Sequence, residues 1–319
     1  MGKIQAADRT GRSVMNTFFL RALFGALLLL TATALGAADK PGKAAIASAH
    51  YLATEAGHEI LAQGGNAFDA AIAVSSALAV VEPTSSGIGG GAFWLLHRAS
   101  DGFQTMVDAR EQAPAAAHKD MYLDEQGDVV RDLAVNGPLA GGIPGEIAGL
   151  EHLAENYGRL PLSTSLQPAI RIAREGFPVD EKFHDMMAWR IDVIKRWPAA
   201  AEAYLKDGEN APVGHIIKLP DLAWVLENVA ERGAEGFYSG PVAERIVKGV
   251  RDAGGIWTME DMAAYLVKER EPIRTMYGDY ELVTAPPPSS GGIAIAEMLN
   301  ILEAYPINEL ETVLRAHLI

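Results

Sequence analysis

The sequence contains no cysteine, which removes disulfides, thiolate nucleophiles and cysteine-ligated zinc. Its eight histidines are scattered, with no His-Glu-x-x-His or similar spacing, so no metal site is indicated. There is no Gly-x-x-x-x-Gly-Lys phosphate loop and no Gly-x-Ser-x-Gly nucleophile elbow, the signatures of two large enzyme classes. Positive charge is sparse: 27 Lys and Arg face 41 Asp and Glu, for a formal net charge of −14. An acidic chain of this kind is a poor partner for nucleic acid or for anionic membrane surfaces. Long apolar runs are equally scarce. The longest, within residues 22–37, has about 14 apolar residues, which is short for a membrane span and suited to a signal peptide.

That run follows Lys3, Arg9, Arg12 and Arg21, with Asp8 the one acid among them. Ala34 and Gly36 supply small residues just before Ala37. We therefore expect residues 1–36 to be a signal peptide, with an uncleaved anchor as the alternative, and an exported, periplasmic or extracellular body formed by residues 37–319 as a single domain. The composition, 49% hydrophobic and 21% charged, suits a globular body with a sizeable core.

Residues 44–49 are small and mostly apolar and predict an opening strand. Tyr51 to Gln63 has helical spacing and stops at Gly64-Gly65. Asn66 and Asp69 form a capping box for a helix from Asp69 to Val81, which is almost wholly Ala, Val, Ile, Leu and Ser. A helix apolar all round is expected to be buried all round. Pro83 ends it.

A glycine-dense turn follows, then a predicted strand, Phe93 to His97. Asp101-Gly102 predicts a hairpin between residues 93–98 and 103–108, and the second strand runs into Arg110. Gly87, Gly89 and Ala92, with Asp108 further on, match the dinucleotide fingerprint. That motif requires a strand before the glycines and a helix after them, and here the order is reversed, so nucleotide binding is rejected. Spacing alone leaves two readings of Arg110. Either it pairs with its neighbour Glu111, or its planar fork of donors awaits a ligand carboxylate.

Residues 115–132 read as irregular, and residues 135–145 as a second glycine-rich loop with Pro144 opening a helix to Tyr157. Helices are predicted over 166–175, 180–197, 222–232 and 241–253. Thr258 and Asp261 form another capping box, and residues 266–284 suggest one hairpin around Tyr277-Gly278-Asp279. After three prolines, Ser290 or Gly291 is expected to cap a helix from Ile293 to Tyr305. The last residues, Thr312 to Ile319, read as helix without a stop signal.

Five stretches, in this order, resemble those of the γ-glutamyltranspeptidase (glutathione hydrolase) family: Gly64-Gly-Asn-Ala-Phe-Asp-Ala-Ala71, Ser86-Gly-Ile-Gly-Gly-Gly-Ala-Phe93, Asp108-Ala-Arg-Glu-Gln-Ala-Pro114, Gly142-Ile-Pro-Gly-Glu-Ile-Ala-Gly149 and Pro286-Pro-Pro-Ser-Ser-Gly-Gly292. The resemblance covers roughly residues 43–319 and implies an α+β, N-terminal-nucleophile hydrolase fold, an αββα sandwich of two stacked sheets between helical layers. It implies a precursor that cuts itself into large and small subunits. The cut frees a threonine that attacks γ-glutamyl amides such as glutathione and passes the acyl group to water or an amino acid. No cofactor is expected.

On this likeness the chain corresponds to most of the large subunit and is C-terminally truncated. Arg110 matches the family arginine that grips the substrate α-carboxylate, and Glu111 a residue that holds its guanidinium. The nucleophile, the oxyanion glycines and the small subunit are expected downstream. Ser289-Ser290 and Gly291-Gly292 do not stand in for them, so no catalytic residue is assigned in this chain and the fragment alone is expected to be inactive. Two rival readings are an acylase of the same fold, such as a cephalosporin acylase, and a non-catalytic periplasmic amino-acid-binding protein.

Overall fold

The structure is a computed structural model that describes residues 44–307. The chain divides into two compact units, Met1–Ala47 and Ser48–Ile319. Of the first, only residues 44–47 are described, and they are irregular. The strand expected over 44–49 does not form; the segment is mostly alanine, a weak strand former. The signal-peptide reading and the predicted helix over 312–319 lie outside the described residues.

The second unit begins with helices α1 (Tyr51–Ala62) and α2 (Ala67–Val81), followed by strands β1 (Ala92–Arg98) and β2 (Phe103–Ala109). Short helix α3 (Arg131–Val135) and a 3-10 turn precede α4 (Glu146–Asn156), α5 (Leu162–Ser165), α6 (Gln167–Glu175) and the two-residue β3 (Phe177–Pro178). Next come α7 (Glu181–Ile194), α8 (Pro198–Tyr204), the short strands β4 (Leu205–Lys206), β5 (Glu209–Asn210) and β6 (Ile216–Ile217), and α9 (Pro220–Arg232). The chain continues through α10 (Glu235–Tyr238), α11 (Gly240–Asp252), α12 (Met259–Ala263), β7 (Lys268–Arg270), β8 (Ile273–Tyr277), β9 (Tyr280–Thr284) and α13 (Gly291–Glu303). No described helix is long and apolar enough to cross a membrane.

The predicted core helix is the centre of the unit. Along α2, Ile72, Ala73, Ala77 and Val80 are fully buried, and among its residues only Ala67 is exposed. Its neighbours are α1, α4 and α6. Both capping boxes form. Asn66 accepts from the backbone of Asp69 while the Asp69 carboxylate accepts from Asn66 N, and Thr258 and Asp261 do the same for α12. Each box satisfies two N–H groups that the first helical turn leaves without partners.

Asp69 does more than cap. It is fully buried, and its carboxylate also accepts from the backbone N–H of Arg159 and Leu160, at 3.0–3.2 Å. This fastens the loop after α4 to the start of α2.

The hairpin forms in the predicted register, with Arg98 opposite Phe103 and Phe93 opposite Asp108. The expectation of a single hairpin over 266–284 needs correcting. Its first part becomes β7, which leaves to pair with β2, so that the sheet order is β1-β2-β7, and only β8 and β9 form the hairpin. The charges along β7 explain the split. Arg270 donates to the buried carboxylate of Asp108 at 2.7 Å, and Glu269 accepts from Tyr157 and His152. These partners sit on or beside β2, not in the hairpin.

The expected start of the last helix also shifts. It begins at Gly291, and the Ser290 side chain makes no capping bond; Ser289 Oγ accepts from Gly291 N at 3.2 Å instead. Ser290 has helical backbone angles, whereas a side-chain cap needs an extended N-cap residue.

Candidate functional site at the end of strand β2

Strand β2 is buried from Thr105 to Ala109, and the chain surfaces at Arg110 and Glu111. Two glycine-bearing segments, residues 86–93 and 142–149, converge there. A Cβ at Gly91 would overlap the Ala109 carbonyl oxygen and lie 2.8 Å from Arg110 Cα. A Cβ at Gly142 would be 2.9 Å from Glu111 Cβ, and one at Gly145 or Gly149 would overlap Ala109 and, respectively, Tyr265 or Trp94. The motif glycines therefore share one purpose: they let other backbone lie flat against residues 109–112.

Hydrogen bonds fix this packing. Gly90 O accepts from Gly145 N at 2.8 Å and from Glu146 N at 3.1 Å, and Gln112 and Ile143 exchange backbone bonds at 3.1 and 2.7 Å. The Tyr265 hydroxyl donates to Arg110 O at 2.8 Å, and Asp108 accepts from Arg110 N at 3.0 Å. The backbone that carries Arg110 is thus held from both sides.

The guanidinium itself is uncommitted. Among the described residues it makes no ion pair, with Glu111 or any other acid; it lies over the Phe93 ring, 5.9 Å from the centroid. The neighbour-pairing reading of Arg110 is therefore not what the structure adopts. The Glu111 carboxylate instead sits beside Gly90, one oxygen 3.2 Å from where a Cβ would be.

Beneath this surface lies Glu146, at the first position of α4 and 5% exposed. Its carboxyl accepts from Ser75 Oγ of α2 at 2.6 Å. Burial, reinforced by the charge of Glu111, pushes its pKa up to about 7, against the opposing effect of the Ser75 bond. Tyr265 and Tyr238, stacked at 5.6 Å, complete the floor, and burial raises both phenols. Tyr238 donates to Pro144 O at 2.7 Å, holding the loop from the far side.

A cleft of about 420 Å³ opens beside Tyr238 and Tyr265, between Glu151, His152 and Leu266. Neither Arg110 nor Glu111 lines it. The candidate site is the surface around Arg110, where an unpaired cation stands on an immobilised backbone beside the converging glycines.

The dinucleotide reading is excluded by geometry as well as by order. The glycine turn runs from helix α2 into strand β1, and Asp108 is occupied by Arg270 and Arg110 N. Among the described residues no cluster of His, Asp and Glu could hold a metal ion. Sequence reasoning placed Arg110 and Glu111 but missed Phe93, Tyr265 and Glu146. Phe93 had a signal, since a hairpin of this register sets it opposite Asp108 and on the face from which Arg110 emerges. Tyr265 and Glu146 had none, because their partners are distant in sequence.

Comparison with known proteins identifies the family. A model of the Gamma-glutamyltranspeptidase family matches residues 53–319. The glutathione hydrolase proenzyme of Escherichia coli (strain K12) is 41% identical over 265 residues, which are 83% of this chain and 46% of the relative. That of Pseudomonas sp. (strain A14) is 40% identical over 267 residues, again 83% and 46%. The chain thus spans about half the length of the curated relatives it matches. Among solved structures, the γ-glutamyltranspeptidase of Helicobacter pylori superposes with a TM-score of 0.83 at 38% identity, covering 86% of this chain and 78% of that one. The cephalosporin acylase of Bacillus halodurans gives 0.71 at 31% identity, covering 88% and 55%. These neighbours share the N-terminal-nucleophile hydrolase fold, to which the mixed helix and sheet architecture conforms.

Proposed function

Because the chain belongs to the γ-glutamyltranspeptidase family, we propose that it forms the substrate-gripping part of an enzyme that hydrolyses or transfers the γ-glutamyl group of glutathione and related compounds. Arg110 binds the substrate α-carboxylate with two parallel N–H···O bonds. Glu111, its acidic neighbour, orients the guanidinium once the ligand is seated. A threonine nucleophile, freed by self-cleavage and carried on a small subunit, attacks the γ-amide, and water or an amino acid accepts the acyl group. The body is exported on the strength of the apolar run before Ala37.

The observation that carries this reading is the unpaired guanidinium of Arg110 on a backbone fixed by Tyr265, Asp108 and the glycine turn. A side chain with no partner of its own on an immobilised backbone is preorganised for a ligand.

The test is hydrolysis of a γ-glutamyl anilide by the full-length protein that carries this chain. Losing a bidentate charged pair costs on the order of 2–4 kcal/mol, so Arg110→Ala is expected to lower kcat/KM roughly 30- to 1000-fold. Arg110→Lys recovers only part of this, because an ammonium cannot form the fork. An unchanged kcat/KM in Arg110→Ala removes carboxylate recognition. It then favours the second reading, an acylase acting on another acyl group, which the likeness to the B. halodurans enzyme supports.

A further inference from the structure

Near Arg110 lies a buried acid to which the proposed chemistry gives no task. Glu146 is tied to the core helix through Ser75 Oγ, at 2.6 Å. Its own backbone N–H, with that of Gly145, holds the carbonyl of Gly90. The next residue, Gly91, lies against the Ala109 carbonyl and Arg110 Cα with no room for a side chain. A continuous line of contacts therefore runs from α2 through Glu146 and the glycine turn to the backbone of Arg110.

We propose that Glu146 is a positioning residue for the Arg110 anchor, and that its carboxyl must carry a proton for the anchor to hold a carboxylate ligand at full strength. This rests on the reading of Arg110 as that anchor. Ser75 from α2 donates to Glu146, and the titratable groups close enough to feel its charge are Glu111 beyond β2, Tyr238 from α10 and Tyr265 after α12, with Asp108 in turn near Tyr265. Apart from Ser75 these are acids or phenols, and none supplies a positive charge.

An ionised Glu146 would add a negative charge to a region that already holds Glu111, and a ligand carboxylate would add another. Ligand binding and protonation of Glu146 therefore favour one another. By linkage, binding draws a proton onto the carboxyl and weakens as that proton is lost. Burial supports the same conclusion, since it holds the proton up to about pH 7.

The test is calorimetric titration of the full-length protein with L-glutamate, whose α-carboxylate stays ionised between about pH 5.5 and 8.5. We expect the wild-type Kd to rise roughly 3- to 10-fold over that range, the size of a like-charge interaction in a partly solvated site. Glu146→Gln keeps the oxygen that accepts from Ser75 and cannot ionise. It should bind at about pH 8.5 as the wild type binds at about pH 6. Ser75→Ala removes the bond that favours ionisation and should move the midpoint of the wild-type curve upward. A pH slope that persists in Glu146→Gln overturns the proposal while leaving the anchor standing. Binding that is absent from the wild type, or indifferent to Arg110→Ala, overturns the anchor reading and this proposal with it.

Discussion

Replacing Asp69 by alanine should destabilise the protein more than any surface substitution, although no chemistry is assigned to this residue. Its two carboxylate oxygens accept from Asn66 N at 2.8 Å, from Arg159 N at 3.0 and 3.1 Å, and from Leu160 N at 3.2 Å, and the residue has no exposed surface. Alanine leaves three backbone donors without an acceptor. Bonds to a charged acceptor contribute ~1.5–3 kcal/mol each, but Arg159 is itself exposed, so water can reach part of the vacated site. A net loss of ~3–5 kcal/mol follows. For a chain of this size that lowers Tm by roughly 6–15 °C.

Asp69→Asn keeps one acceptor but turns an amide N–H₂ toward a donor, and should fall between wild type and alanine. Differential scanning calorimetry measures both variants, with Glu125→Ala, exposed and unpaired among the described residues, as the control. If Asp69→Ala melts within about 2 °C of the wild type, the assignment of this motif to structure is wrong. A loss of activity with no loss of stability would point instead to a role at the site.

Two further outcomes are expected. At the glycine turn, Gly91→Ala should cost ~2–3 kcal/mol or displace Arg110, lowering kcat/KM for γ-glutamyl anilides, because its Cβ would overlap the Ala109 carbonyl. Gly89→Ala two residues away meets no atom within 4 Å and should be nearly silent, and equal effects from the two would contradict the packing described. Glu146 should also give stability a pH dependence. Its folded pKa, about 7, exceeds the ordinary carboxyl value of 4.5, so the folded state binds this proton more tightly. Its contribution is full below about pH 4.5, declines as pH rises, and has cost ~3 kcal/mol above about pH 7. Denaturant titrations of wild type and Glu146→Gln between pH values in that window should diverge, and parallel curves would contradict the burial argument.

Local chemistry was legible wherever partners lie within a few residues. Asn66 and Asp69 are three apart, as are Thr258 and Asp261, so each capping box could be read off and formed as expected. The hairpin at Asp101-Gly102 is a property of four residues, and its register followed. The apolar monotony of residues 67–81 announced a core helix, because no orientation of such a helix leaves a polar face for water. The predicted strand over 44–49 failed since alanine carries little strand preference, and the single hairpin over 266–284 failed because Glu269 and Arg270 answer to partners beyond 100 residues away.

The sequence by itself determined the family, through five ordered motifs, and it singled out Arg110 by chemical type. It also determined the longer helices, the two capping boxes and the central burial of α2, for these rest on contacts within one or two turns. Only the tertiary structure decided that Gly91, Gly142, Gly145 and Gly149 all press on the same four residues, that Arg110 stands free over Phe93 instead of pairing with Glu111, and that Glu146 is buried against Ser75. A glutamate opening a helix reads in sequence as a solvated partner of the helix dipole. Its burial depends on which surfaces the folded chain brings over it, and 71 residues separate it from the hydroxyl that holds it.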